Sequence, residues 1–112
     1  MRILQLHSDF IEYKPIKREA KTAEKCERKW HRLEDLVVLF TCVEKGDNEA
    51  VARKAVEEVG AFLEKLKVNR ILIYPYAHLS SDLAELSDAL RILKEMEKNA
   101  KDSGLETHRA PF

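Results

Sequence analysis

The run Leu36-Val-Val-Leu-Phe-Thr-Cys-Val43 has no charge at any of its eight positions and lies between Glu34-Asp35 and Glu44. A strand with one wet face alternates apolar and polar residues. A run that is apolar throughout needs cover on both faces. Residues 35 to 44 are therefore expected to form an inner strand of a covered sheet. The run is also far short of the roughly 20 residues that a membrane-spanning helix needs, which excludes such a helix here.

The segments on either side supply the partners for that strand. Residues 2 to 10 alternate, with Leu4, Leu6, Ser8 and Phe10 on one face and Ile3, Gln5, His7 and Asp9 on the other, as in a second strand. Gly46-Asp47-Asn48 reads as a turn and a helix N-cap. Ala52, Ala55, Val56, Val59, Phe62, Leu63 and Leu66 then recur at helical steps, predicting an amphipathic helix over 49–67. A further buried strand is expected over 68–74 and stopped by Pro75, which has no N–H to give to a ladder. Ser80 or Ser81 is expected to cap a second helix with Leu83, Leu86, Ala89, Leu90, Leu93 and Met96 on its apolar face. Gly104 ends that helix, and a last strand starts in 105–112. This order predicts an α/β fold with two helices packed on a sheet.

The 112 residues suit one domain, with 20 basic residues against 20 acidic. The balance is uneven along the chain. Lys14 to Arg32 holds eight basic residues and three glutamates, an excess of five positive charges that suits either a solvated loop or contacts to phosphates. Trp30 and His31 are candidates for anchoring that stretch to the body. The N-terminus turns polar after a few residues and has no signal-peptide pattern, so a cytoplasmic location is expected. Cys26 and Cys42 do not make a disulfide framework or a four-ligand zinc site, and Cys42 belongs to the core. The glycines, Gly46, Gly60 and Gly104, form no phosphate-binding loop.

Two segments hold candidate chemistry. His7-Ser8-Asp9 has the residue types of a hydrolytic triad, but the alternation of a strand points Ser8 away from its neighbours. His7 either lines a pocket or is a partly exposed strand-end histidine. Tyr74-Pro-Tyr-Ala-His-Leu-Ser-Ser81 joins the end of a buried strand to a helix start, where open α/β sheets place ligands. Free N–H groups of a first helical turn favour an anion or developing oxyanion there. His78 is placed to bind or orient a substrate, unless the segment is simply a capping loop.

His7-Ser-Asp-Phe-Ile-Glu-Tyr13, Cys42-Val-Glu-Lys45, Tyr74-Pro-Tyr-Ala-His-Leu-Ser-Ser81 and Ala110-Pro-Phe112, in this order, closely resemble the N-terminal editing domain of archaeal threonyl-tRNA synthetases. The likeness spans 1–112 as a single domain of a longer chain. It implies a fold similar to D-aminoacyl-tRNA deacylases, a homodimer, and no cofactor or metal. It also implies hydrolysis of L-serine wrongly esterified to threonine tRNA, with the tRNA's terminal 2′-hydroxyl helping the attacking water. By position, His78 is the catalytic candidate, shaping or polarising the pocket. Val43, Pro75, Tyr76 and Ala77 offer main-chain contacts to the seryl group and adenine, and His7 is a further binding candidate. Family members continue into a Gly-Tyr-Tyr-Lys strand and a later acidic residue, which this sequence ends before. The C-terminal strands are thus expected to be missing. A non-catalytic tRNA-binding or dimerisation module and a D-aminoacyl-tRNA deacylase are the alternatives.

Overall fold

The computed structural model describes residues 1–14 and 29–111. Cys26, Phe112 and most of the basic stretch lie outside the described residues. Strands β1 (Arg2–Tyr13), β2 (His31–Cys42), β3 (Arg70–Pro75) and β4 (Glu106–Arg109) form one sheet in that order, with helices α1 (Glu49–Leu66) and α2 (Leu86–Asp102) between the last three. β1 runs antiparallel to β2, while β2, β3 and β4 are parallel. This is the expected α/β arrangement of two helices on a mixed sheet.

The strand order explains why both helices lie together. β2, β3 and β4 step across the sheet in one direction, and crossovers of constant hand then put both helices on the same face. One core cluster holds that face: Val37, Leu39, Ile71 and Ile73 from the strands, Val59 and Leu63 from α1, and Ile92, Leu93 and Met96 from α2. Local chemistry sets the helix ends. The Asn48 side chain accepts from the N–H of Val51 at 3.1 Å and starts α1, while Lys67, in the left-handed region, closes it. Gly104, at φ 93°, turns the chain from α2 towards β4, and its N–H donates to the Lys101 carbonyl.

The helix-free face is covered differently. Leu36, Val38 and Leu72 are buried there, packed with Ile11, Tyr13, Leu33, Phe40 and Tyr74. His31 and Phe40 are nine positions apart on β2, about 30 Å if the strand ran straight. Yet Tyr13, the ladder partner of His31, has its ring 6.1 Å from that of Tyr74, the partner of Phe40. The β1–β2 ribbon therefore bends back over the sheet. Asp35 lies in this ribbon with φ 48°, the left-handed region, and supplies the bend.

Several boundaries differ from the sequence expectation. β1 extends to Tyr13 and β2 begins at His31, because the curled ribbon keeps pairing beyond the apolar run. Leu4, Leu6 and Phe10 are all exposed, so the face they share does not enter the core. Phe10 lies beneath the Arg32 guanidinium, 4.2 Å from its ring centroid, while Ile11 and Tyr13 face inward. Pro75 is the last residue of β3, opposite Thr41, instead of the first beyond it. The largest difference is α2, which starts at Leu86 and not at Ser80 or Ser81. Trp30 is 67% exposed and anchors nothing that the described residues show, whereas His31 stacks on Tyr13 at 4.9 Å.

Candidate active site

Antiparallel pairing brings the start of β1 to the same end of the sheet as the ends of β2 and β3. At that end β3 stops because Pro75 cannot continue the ladder. Tyr76 stays extended and donates its N–H to the Thr41 carbonyl at 2.9 Å. Ala77–Leu79 then make one 3-10 turn, and Ser80 is extended again. Residues 82–84 return along the β2 exit: the Ala84 N–H donates to the Val43 carbonyl at 3.1 Å, and the Lys45 N–H to the Asp82 carbonyl at 3.0 Å.

This pairing is why the second helix starts late. Leu83 bridges Glu44 instead of sitting on a helix face, and it is partly exposed. Ser80 does not cap a helix either. Its Oγ accepts from the Asp82 N–H at 3.0 Å and donates to Glu44 Oε2 at 2.6 Å. The unpaired N–H groups of a long helix therefore do not face the 76–80 loop, and the anion-binding argument drawn from a helix start there does not hold.

Glu44 is the hub of the loop end. Its Oε1 takes a hydrogen bond from the α-ammonium of Met1 at 2.9 Å, and the Arg2 guanidinium lies 3.6 Å from Oε2. Asp47 shares the ammonium at 3.0 Å and also accepts from the Glu44 N–H at 2.8 Å. The Ser80 hydrogen bond and the Met1 ammonium hold the Glu44 carboxyl below its usual range. Burial pushes the ammonium down, but hydrogen bonds to Asp47 and Glu44 outweigh this and its pKa is raised.

The residues singled out from the sequence fall into two places. Val43, Pro75, Tyr76, Ala77 and His78 meet at the loop end, with the Cys42 thiol 3.9 Å from the Ala77 carbonyl. Burial raises the pKa of that thiol, and the nearby Glu44 adds to it, so Cys42 is suited to packing and not to nucleophilic attack. His78 is exposed, its ring set edge-on to Tyr76 at 5.2 Å, and Tyr76 in turn meets Phe40 at 5.4 Å. Phe40 meets Tyr74, Tyr74 meets Tyr13 and Tyr13 stacks on His31, so a line of aromatic rings leads from the loop to the curled ribbon.

His7 is not brought to this loop. It pairs with Val37, four positions before Thr41 on β2, or about 13 Å along the strand. Its Nε2 lies 3.7 Å from Asp35 Oδ1 at the bend. Sequence reading missed Glu44, Asp47 and Met1 at the loop end, because the contacts that join them are long-range and leave no periodic signal. Among the described residues, no three His, Cys, Asp or Glu side chains cluster to hold a metal ion.

The family model for the archaea-specific editing domain of threonyl-tRNA synthetase matches residues 1–112. The chain belongs to this editing-domain family. It is 49% identical to a threonine–tRNA ligase of Nitrosopumilus maritimus, 42% to one of Thermococcus sibiricus and 45% to one of Methanosarcina mazei. Each alignment covers all of this chain and 18%, 19% and 18% of the relative, respectively. The chain thus spans about a fifth of the length of these ligases. Among the described residues, no helix is long and apolar enough to cross a membrane.

Proposed function

We propose that residues 1–112 form one editing domain that hydrolyses L-seryl esters of threonine tRNA within a cytoplasmic threonyl-tRNA synthetase. The observation that carries this reading is the loop of Pro75 to His78, held at the end of two parallel strands in a chain of the editing-domain family. The need for such a step is physical. A site built for threonine gains only about 1–3 kcal/mol from the methyl group that serine lacks, too little for faithful translation. A second, tighter pocket admits serine and excludes threonine by collision.

In this mechanism the main chain of Val43, Pro75, Tyr76 and Ala77 holds the seryl group and the terminal adenine, and the exposed face of Tyr76 offers a ring to the base. The tRNA's terminal 2′-hydroxyl orients a water. That water attacks the ester carbonyl carbon, the bond from this carbon to the ribose oxygen breaks, and the ribose oxygen takes up a proton. His78, at the lip of the loop, polarises the reacting carbonyl or fixes the water. Neither a cofactor nor a metal enters this scheme. His7 belongs to the same reading only as an outer contact, given its place beside Asp35. Resemblance to the family also supports a homodimer, a deacylase-like fold, and continuation of the chain into the rest of the synthetase.

The test is deacylation of seryl and threonyl esters of threonine tRNA by the full-length protein and by this chain. Seryl ester should be cleaved and threonyl ester spared, with activity lost when the terminal 2′-hydroxyl is replaced by hydrogen. Equal rates on both esters would reject the double-sieve role, and full activity on the deoxy substrate would reject the RNA-assisted step. Salt-sensitive tRNA binding without cleavage would identify a binding module instead. Turnover of D-aminoacyl esters would identify a chiral deacylase.

A further inference from the structure

The loop that bears His78 is tied down at both ends by main-chain hydrogen bonds, Tyr76 N–H to Thr41 and Ala84 N–H to Val43. Between Tyr76 and Asp82, whose carbonyl accepts the Lys45 N–H, the residues form a single 3-10 turn and an extended stretch with no ladder of their own. Such a segment adopts many orientations unless a side chain fixes it. Ser80 supplies that tie. Its oxygen accepts from the Asp82 N–H, which directs its own hydrogen to Glu44 Oε2 at 2.6 Å. A short hydrogen bond from a hydroxyl to a carboxylate is among the stronger ones.

Glu44 can hold Ser80 only if Glu44 is itself fixed. Its other oxygen is taken by the Met1 α-ammonium, which is shared with Asp47. Asp47 also accepts the Glu44 N–H. The carboxylate is thus gripped from both sides, and the start of β1 is joined to the middle of the loop through two ion-paired groups.

We propose that Glu44 and Ser80, braced by the α-ammonium of Met1, are positioning residues that set the orientation of His78. The proposal rests on the reading of this loop as the ester-binding site. It predicts that acylating the Met1 amine, which holds Glu44, slackens a loop some 80 residues away in sequence.

The experiment uses the full-length protein with four changes: Ser80→Ala, Ser80→Thr, Glu44→Gln and acetylation of the Met1 amine. Ser80 has extended backbone angles that threonine adopts readily, so Ser80→Thr keeps the hydroxyl in place. Two readouts are taken: amide hydrogen exchange of residues 76–84, and the separate kcat and KM of seryl-ester cleavage. Ser80→Ala should speed exchange in 77–81 about tenfold, the worth of a charge-assisted hydrogen bond. It should lower kcat by a similar factor, with Ser80→Thr restoring both. Glu44→Gln and the acetylated protein should shift in the same direction. Unchanged exchange in Ser80→Ala, or faster exchange with unchanged kcat, overturns the positioning role. If the unaltered protein cleaves no seryl ester, the functional reading fails and the positioning of His78 for that reaction fails with it. The exchange data then still decide whether the clamp holds the loop.

Discussion

The two ends of the β2 run are built by opposite means. At the loop end, main-chain hydrogen bonds from Tyr76, Ala84 and Lys45 close over a partly buried ion pair between Met1 and Glu44. At the other end, around the Asp35 bend, side chains in water do the joining: Arg70 to Glu106 and to the Glu34 carbonyl, His108 to Glu106, and His7 to Asp35. Histidines lie at both ends, His78 at the loop and His7 and His108 at the bend. The loop end lies where the parallel strands β2 and β3 stop, the place where open α/β sheets hold ligands. The bend end serves the fold, since it turns the ribbon over Leu36, Val38 and Leu72.

The largest effect should come from the residue on which both ends depend. Leu72 is fully buried between Val38 and the curled ribbon. Leu72→Ala should cost about 2–5 kcal/mol of stability, as cavity-forming core substitutions do, and denaturant melts of the protein measure it. Hydrogen exchange should rise at the loop and at the bend together. A rise confined to the bend would mean that the site does not rest on the curled ribbon.

Next in size is the contrast between His78 and His7. His78→Ala should reduce seryl-ester cleavage about 100-fold, the usual scale for losing a group that stabilises the transition state. His7→Ala should leave cleavage within about twofold, since no reacting group reaches Asp35; the melting temperature should stay level in both, because each ring is largely exposed. Equal losses for the two variants would break the assignment of chemistry to the loop end alone.

The parts that local chemistry governs were legible in the sequence. Asn48 as a cap, Gly104 as a helix stop, and the strand and helix faces built from Leu36–Val43, Ala52–Leu63 and Ala89–Met96 all follow from neighbours a few residues apart. The loop after β3 was legible for a related reason, because a proline that ends a buried strand forces a loop. What could not be read was decided at long range. Ser80 has the chemistry of an N-cap, but its hydroxyl serves Glu44, 36 residues away, so α2 starts six residues later. Leu83 fits the helical spacing of Leu86 and Leu90, yet pairing with Glu44 claims its backbone first. Asp35 gives no sign in the sequence that it will hold a positive φ, and without that bend the inward packing of Ile11 and Tyr13 is not seen.

The smallest effect separates the ends by pH. Hydrogen bonds from Arg70 and His108 pull the exposed Glu106 carboxyl down to about 2, and Glu44 is also lowered by Ser80 and the Met1 ammonium. A carboxyl depressed on folding contributes stability above its ordinary pKa, near 4, and that contribution fades as pH falls through the folded value. Both ends should therefore loosen in acid. On the alkaline side they part company. The Met1 ammonium has a raised pKa, so its contribution is complete below about pH 8 and is lost as pH rises through the folded value, while the bend's Arg70 stays charged. The groups facing that ammonium are Glu44 and Asp47, with Arg2 beside Glu44. Melting temperature followed from pH 3 to 10 should show a shallow alkaline decline that disappears when the Met1 amine is acetylated. Because the groups at the bend are exposed, Arg70→Ala should shift the melting temperature only slightly and leave the alkaline limb unchanged. An alkaline limb that persists after acetylation would assign it to some other group and remove the charge asymmetry between the two ends.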